Sequence, residues 1–183
     1  MFSNGKVNKK GKPSNLVENR LEGFFMLKEN YVLVFIQNEL DKGTEVKLIE
    51  KWLGIAKPAM EAIQLVKETG ETLGSILSGD ELIKVYRAGL TYPEIGELKG
   101  VTREAVRLMV HSVTKDKLEK VKEENRVNRQ RMRDAILHRK IWIAVQLLGF
   151  EEAKKQSGYS ESFFRQRYRE MECNVRNQLN QTV

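Results

Sequence analysis

The chemistry this sequence offers is concentrated in two short clusters of side chains. One is Arg103, Glu104, Arg107 and His111; the other is Ser162, Arg165, Gln166 and Arg169. Within each cluster the spacing is one, three or four residues, so at about 100° per residue a helix would gather each cluster on one face. A guanidinium offers a planar fork of donors, and a primary amide offers a donor beside an acceptor. Arg and Gln so presented can form bidentate hydrogen bonds to guanine and adenine edges. The expected chemistry is recognition of bases, not bond making. There is no phosphate-binding glycine loop, no dinucleotide fingerprint and no acidic group spaced for two-metal catalysis. Cys173, with only His111 and His138 for company, cannot supply a zinc site of ordinary ligand count. An enzyme, a metal site and a cofactor are therefore not expected.

Charge supports a polyanionic partner. The 183 residues carry a net charge of +7, and the excess sits in two segments. Residues 1–15 hold Lys6, Lys9, Lys10 and Lys12 with no acid, and read as a disordered basic arm. Residues 115–140 hold ten basic side chains against five acidic ones. Among them Arg126, Arg129, Arg131, Arg133, Arg139 and Lys140 are candidates for neutralising phosphates, together with the cap residues Thr91 and Thr102. The stretch lacks Gly and Pro and runs on into an apolar segment to Leu148, which predicts one long helix. A solvated, charged connector is the competing reading of that helix. Leu118, Val121, Met132, Ala135 and Trp142 form a heptad seam on it, interrupted by Asn125, Asn128 and Arg139. A homodimer through this seam is an alternative that those interruptions disfavour.

The clusters need elements to present them, and the punctuation around each is that of helix, turn and helix. Between Asp80 and Val113 the chain reads DELIKVYRAG, LTYPEIGELKG and VTREAVRLMVHSV. Ser78 with Glu81 and Thr91 with Glu94 fit the capping box, Pro93 falls in a first turn, and Gly89 and Gly100 fit left-handed helix ends. Gly96 allows close approach of the two helices, with Ile95, Val101, Val106 and Met109 as a small core between them. Thr102 then caps a helix whose Arg103, Glu104, Arg107, Leu108 and His111 face away from that core.

The run Thr91-Tyr92-Pro93-Glu94-Ile95-Gly96-Glu97 followed by Val101-Thr102-Arg103-Glu104-Ala105-Val106-Arg107 resembles the promoter-reading helix-turn-helix in the fourth conserved region of bacterial sigma factors. The resemblance spans about a fifth of the chain. It implies that Arg103, Glu104 and Arg107 contact a promoter element. Lys99 stands where that family packs an apolar side chain, and the aromatic-rich promoter-melting region of the family is absent, with Trp52 and Trp142 reading as isolated core residues.

A second unit lies in AVQLLGFEEAKKQSGYSESFFRQRYREME. Its turn is Gly158-Tyr159-Ser160, Ser160 is the cap, and Phe164, Tyr168 and Met171 oppose the Ser162, Arg165, Gln166 and Arg169 face. It is similar to the helix-turn-helix of site-specific invertases. The competing reading is an ordinary amphipathic hairpin. A third candidate turns at Gly54-Ile55-Ala56, but its second helix carries Glu61 and a broad apolar surface of Met60, Ile63, Leu65 and Val66, which favours packing over DNA. Tyr31 to Ile36 reads as a buried helix.

The expectation is an all-α, multi-helix chain with two helix-turn-helix units, or three if the turn at Gly54 is counted, joined by a long basic helix. Its segments are the arm at 1–15, an N-terminal helical domain at 16–76, the sigma-like unit at 77–114, the basic helix at 115–148 and the C-terminal unit at 149–183. The leading function is sequence-specific binding of double-stranded DNA by a bacterial or phage transcription regulator. Two alternatives stay open: a sigma-like module that engages RNA polymerase without reading DNA, and a DNA-gripping protein of the small-terminase or replication-origin kind. No signal peptide or membrane span is read, so the expected setting is cytoplasmic and nucleoid-associated.

Overall fold

The computed structural model describes residue 25 and residues 30–179, so the basic arm at 1–15 lies outside the described residues. The protein is all-α. Three helices come first: α1 (Tyr31–Asp41), α2 (Val46–Leu53) and α3 (Lys57–Thr69). They are followed by α4 (Gly79–Arg87), α5 (Tyr92–Lys99) and α6 (Arg103–Thr114). A single 3-10 turn, Lys115–Lys117, leads into the 31-residue α7 (Leu118–Leu148), and α8 (Phe150–Ser157) and α9 (Glu161–Leu179) complete the described chain.

The apolar run that begins α1 is helical: Val32, Leu33 and Ile36 are buried at the i, i+1, i+4 spacing of one helix face. α2 ends at Gly54 in the left-handed conformation, as the Gly54-Ile55-Ala56 turn requires. α3 then buries Ala59, Met60, Ala62 and Ile63, and its Glu61 pairs with Lys57 at 3.2 Å on the surface. The third helix-turn-helix candidate is thus a packing element of the core.

Two hydrophobic clusters organise the molecule. The larger gathers residues of α1 to α6 with Val121, Met132 and Ile136 of α7. Leu73, Leu77 and Leu82 belong to it together, so the segments expected at 16–76 and 77–114 share one core. The smaller joins Leu137, Ile141, Ala144 and Val145 of α7 to Ala153 of α8 and Phe164 of α9, with Phe25 at its edge. Burying a side chain such as Phe164 removes enough apolar surface to be worth about 2–3 kcal/mol. The basic helix therefore belongs to both cores and is not a free connector.

Its polar interruptions have a definite use. Asn125 donates from Nδ2 to the carbonyls of Tyr86 and Leu90 at 2.5 and 2.9 Å, and Asn128 donates to the carbonyl of Arg87 at 2.7 Å. Arg87 and Tyr86 lie in the last turn of α4, where Tyr86 also takes the Gly89 amide, and Leu90 lies in the loop that follows. Gly89, at φ +106°, permits the approach: a Cβ there would lie 2.5 Å from the Met132 methyl and 2.9 Å from the Arg129 amide nitrogen. The heptad seam is consequently covered by this chain itself. Val121 and Met132 are buried in the first cluster, Leu118 and Ala135 pack on it, and Trp142 stacks on Tyr168 at 5.4 Å. Of the seam's apolar side chains, only the half-buried Leu118, Ala135 and Trp142 keep surface for a second copy.

Candidate nucleic-acid interface

The α5–α6 unit is built from its turn outward. Thr91 and Glu94 form a complete capping box at the start of α5, whereas Ser78 caps α4 by position only, because Glu81 is engaged by Lys84 at 2.6 Å instead. α5 ends at Gly100 in the left-handed conformation. A Cβ on Gly96 would meet the Val101 carbonyl oxygen at 2.7 Å, so only glycine admits the turn this close to α5. Ile95 and Val106 are fully buried between the helices, with Val101 and Met109 packed beside them. Lys99 is buried as well, but its ammonium reaches out to the Gly74 carbonyl, so a cation can replace an apolar residue there.

The Thr102 hydroxyl accepts from the Ala105 amide at 3.2 Å and starts α6. Arg103 and Glu104 are exposed, and Arg107 and His111 half-exposed, on the side away from the core. Arg107 donates through Nε and Nη2 to the Glu104 carboxylate at 2.9 and 2.6 Å. That hydrogen bond holds the Glu104 carboxyl below the usual range and the Arg107 guanidinium above its own. An exposed pair of this kind contributes little to stability and can open toward a ligand. Leu108 is 55% exposed on the same face.

In the second unit α8 buries Ala153 and ends at Gly158 in the left-handed conformation. Ser160 accepts from the Phe163 amide at 3.4 Å, and Phe164 fills the core. Ser162, Arg165, Gln166 and Arg169 are all exposed. Arg165 pairs with Glu161 at 2.8 Å and lies 5.0 Å from the Phe150 ring centroid, while Gln166 donates to Glu170 at 2.9 Å.

The residues singled out for phosphate contact divide. Arg126, Arg131 and Arg133 are exposed, with Arg126 paired to Glu123 at 2.7 Å. Arg129 and Arg139 turn inward, with side chains 13% and 21% exposed, and serve the protein instead. Arg129 pairs with the buried Glu94 and lies 4.1 Å over the Tyr31 ring. Arg139 pairs with Glu39 at 3.1 Å and lies 3.5 Å over the Trp52 ring. Lys140 is half-buried, and burial lowers the pKa of its amine. Thr91 is engaged twice with Glu94 in the capping box, which leaves Thr102 as the cap with a hydroxyl proton to offer. Both inward arginines are committed within the protein, and the cause is the same: each neutralises an acid that the fold has buried.

Sequence reasoning missed Glu94 and Arg167. The first reads as a local cap, yet Glu94 also accepts from the Val32 and Leu33 amides at 3.1 Å and so caps α1, whose own cap residue, Asn30, turns its side chain to Glu97 and caps none of the helix amides. Arg167 lies 2.8 Å from His138 Nε2 and 3.2 Å from Glu170, tying α9 to α7. Burial, then the Arg167 charge, hold the His138 pKa low against the opposite pull of Glu170 and Asp134. Among the described residues no three metal-ligating side chains gather, and no helix is long and apolar enough to cross a membrane. No family model, curated protein or solved structure matches the chain.

Proposed function

We propose that the protein is a sequence-specific, non-enzymatic binder of double-stranded DNA and acts as a bacterial or phage transcription regulator. The observation that carries this reading is the start of α6. A helix capped by Thr102, set at a fixed angle on α5 by the contact at Gly96, presents Arg103, Glu104 and Arg107 outward from its N-terminal turns. That end is the one a helix-turn-helix lays into the major groove. α9 offers a second face of the same kind, with Ser162, Arg165, Gln166 and Arg169 exposed beside the Ser160 cap. Arg126, Arg131 and Arg133 add the salt-dependent grip on phosphates.

Selection of bound duplexes from a random pool tests the reading. A defined motif is expected, and Arg103→Ala or Arg107→Ala should weaken its binding by roughly tenfold to a hundredfold while relaxing preference at one or two positions. Unchanged binding by both variants would remove base readout from α6. One observation favours a second reading. Leu108 exposes an apolar side chain on the α6 face, which suits a thymine methyl but equally a protein such as RNA polymerase. Co-purification with polymerase that is lost on Leu108→Ser, with no selected motif, would favour that module.

A further inference from the structure

We infer that α7 is a rigid ruler, and that the DNA partner is a bipartite, asymmetric site whose two halves are read by one copy of the chain at a fixed spacing of about one helical turn. The inference rests on the DNA-binding reading and adds to it the architecture of the target. Its first support is continuity: α7 runs 31 residues from Leu118 to Leu148 without Gly or Pro. Ile136 belongs to the core of the first unit and Leu137, the next residue, to the core of the second, so no residue between the units is free to act as a hinge. Polar contacts grip the ruler between its ends as well. Asn125 and Asn128 hold the end of α4, and Arg167 with His138 holds α9.

Direction follows from helical geometry. At about 100° per residue, Val121, Asn125, Met132 and Ile136 lie on one side of α7, and Leu137, Ile141 and Ala144 lie nearly opposite. The α7 contacts of the first unit centre near Asn128 and those of the second near Ile141, which at about 1.5 Å per residue is roughly 20 Å along the axis. Packing at about 10 Å from the axis on opposite sides adds roughly 20 Å across it. The units are therefore centred about 28 Å apart, nearer to the roughly 34 Å of one duplex turn than to two turns or none. Because the two reading faces differ in sequence, Arg103, Glu104 and Arg107 against Ser162, Arg165, Gln166 and Arg169, the site has no dyad.

The test has two arms. In the first, spin labels at Ser112→Cys and Ser162→Cys, in a Cys173→Ser background, report the α6–α9 distance in the free protein. A single narrow distribution is expected, and a broad or two-peaked one overturns the ruler whatever the protein binds. In the second, the duplex selected from the random pool is rebuilt with its spacer changed. Adding or removing two base pairs, about 70° of rotation, should weaken binding more than tenfold, and adding a full turn should not restore it. Binding should saturate at one chain per duplex. Affinity indifferent to spacer length, or two chains on a palindrome, overturns the inference while leaving DNA binding intact. Failure to select any motif overturns both.

Discussion

Glu94 is a buried carboxylate that accepts hydrogen bonds from three directions: the α1 amides of Val32 and Leu33, the Thr91 amide and hydroxyl, and Arg129 of α7. Removing either partner of a buried ion pair costs about 3–5 kcal/mol, but the two partners of this pair are not equivalent. Without Arg129, Glu94 keeps four donors; with an amide in place of the carboxylate, the remaining oxygen can serve the α1 amides, but Arg129 and the Thr91 amide then face an NH2 group that cannot accept. Glu94→Gln should therefore lower the urea midpoint by more than Arg129→Met does, with the denaturant slope unchanged in both. Glu39 adds a pH dependence. Burial pushes its carboxyl up, but the Lys42 and Thr44 hydrogen bonds and the Arg139 and Lys42 charges outweigh this and hold it below its ordinary 4.5. A depressed carboxyl stabilises the fold above its unfolded value and loses that contribution as pH falls through the folded one. Urea midpoints measured from pH 7 to pH 3 should fall for the wild type and fall less steeply for Glu39→Gln. The sequence marks Glu94 as a cap because the Thr91 spacing is local. Its second role depends on residues more than 60 positions away, and no local spacing records them.

At the scale of elements, the α5–α6 turn depends on an absent side chain. With the Val101 carbonyl only 2.7 Å from a Cβ placed at Gly96, Gly96→Ala must push α6 away from α5. A loss of about 1–3 kcal/mol is expected, the usual cost of overpacking, read as a lower thermal midpoint with helix content retained. Because α6 would tilt, DNA affinity should fall further than the stability loss explains at a temperature where the variant is folded. This turn is legible in the sequence because glycine, cap and apolar spacing all fall within a dozen residues. The same holds for the turn from Gly158 to Ser160 and for the single long helix. The use of α7 is less legible. Asn125, Asn128 and Arg139 look like defects in a dimer seam, but they satisfy the end of α4 and the buried Glu39 within one chain. Periodicity identifies an inward face without identifying what lies against it.

At the scale of the whole molecule, the net charge of +7 divides into cations that serve the fold and cations that remain outside it. Arg129 and Arg139 answer buried acids, whereas Arg126, Arg131 and Arg133 stay on the surface of the spine. The bases would be read from the two ends of that spine, by α6 and by α9. The measurement that tests this most directly is footprinting of the selected duplex with wild-type protein, Arg103→Ala and Arg169→Ala. The account predicts two protected stretches about one turn apart, with Arg103→Ala losing sequence preference in one and Arg169→Ala in the other. Wild-type sequence preference in both variants would contradict it.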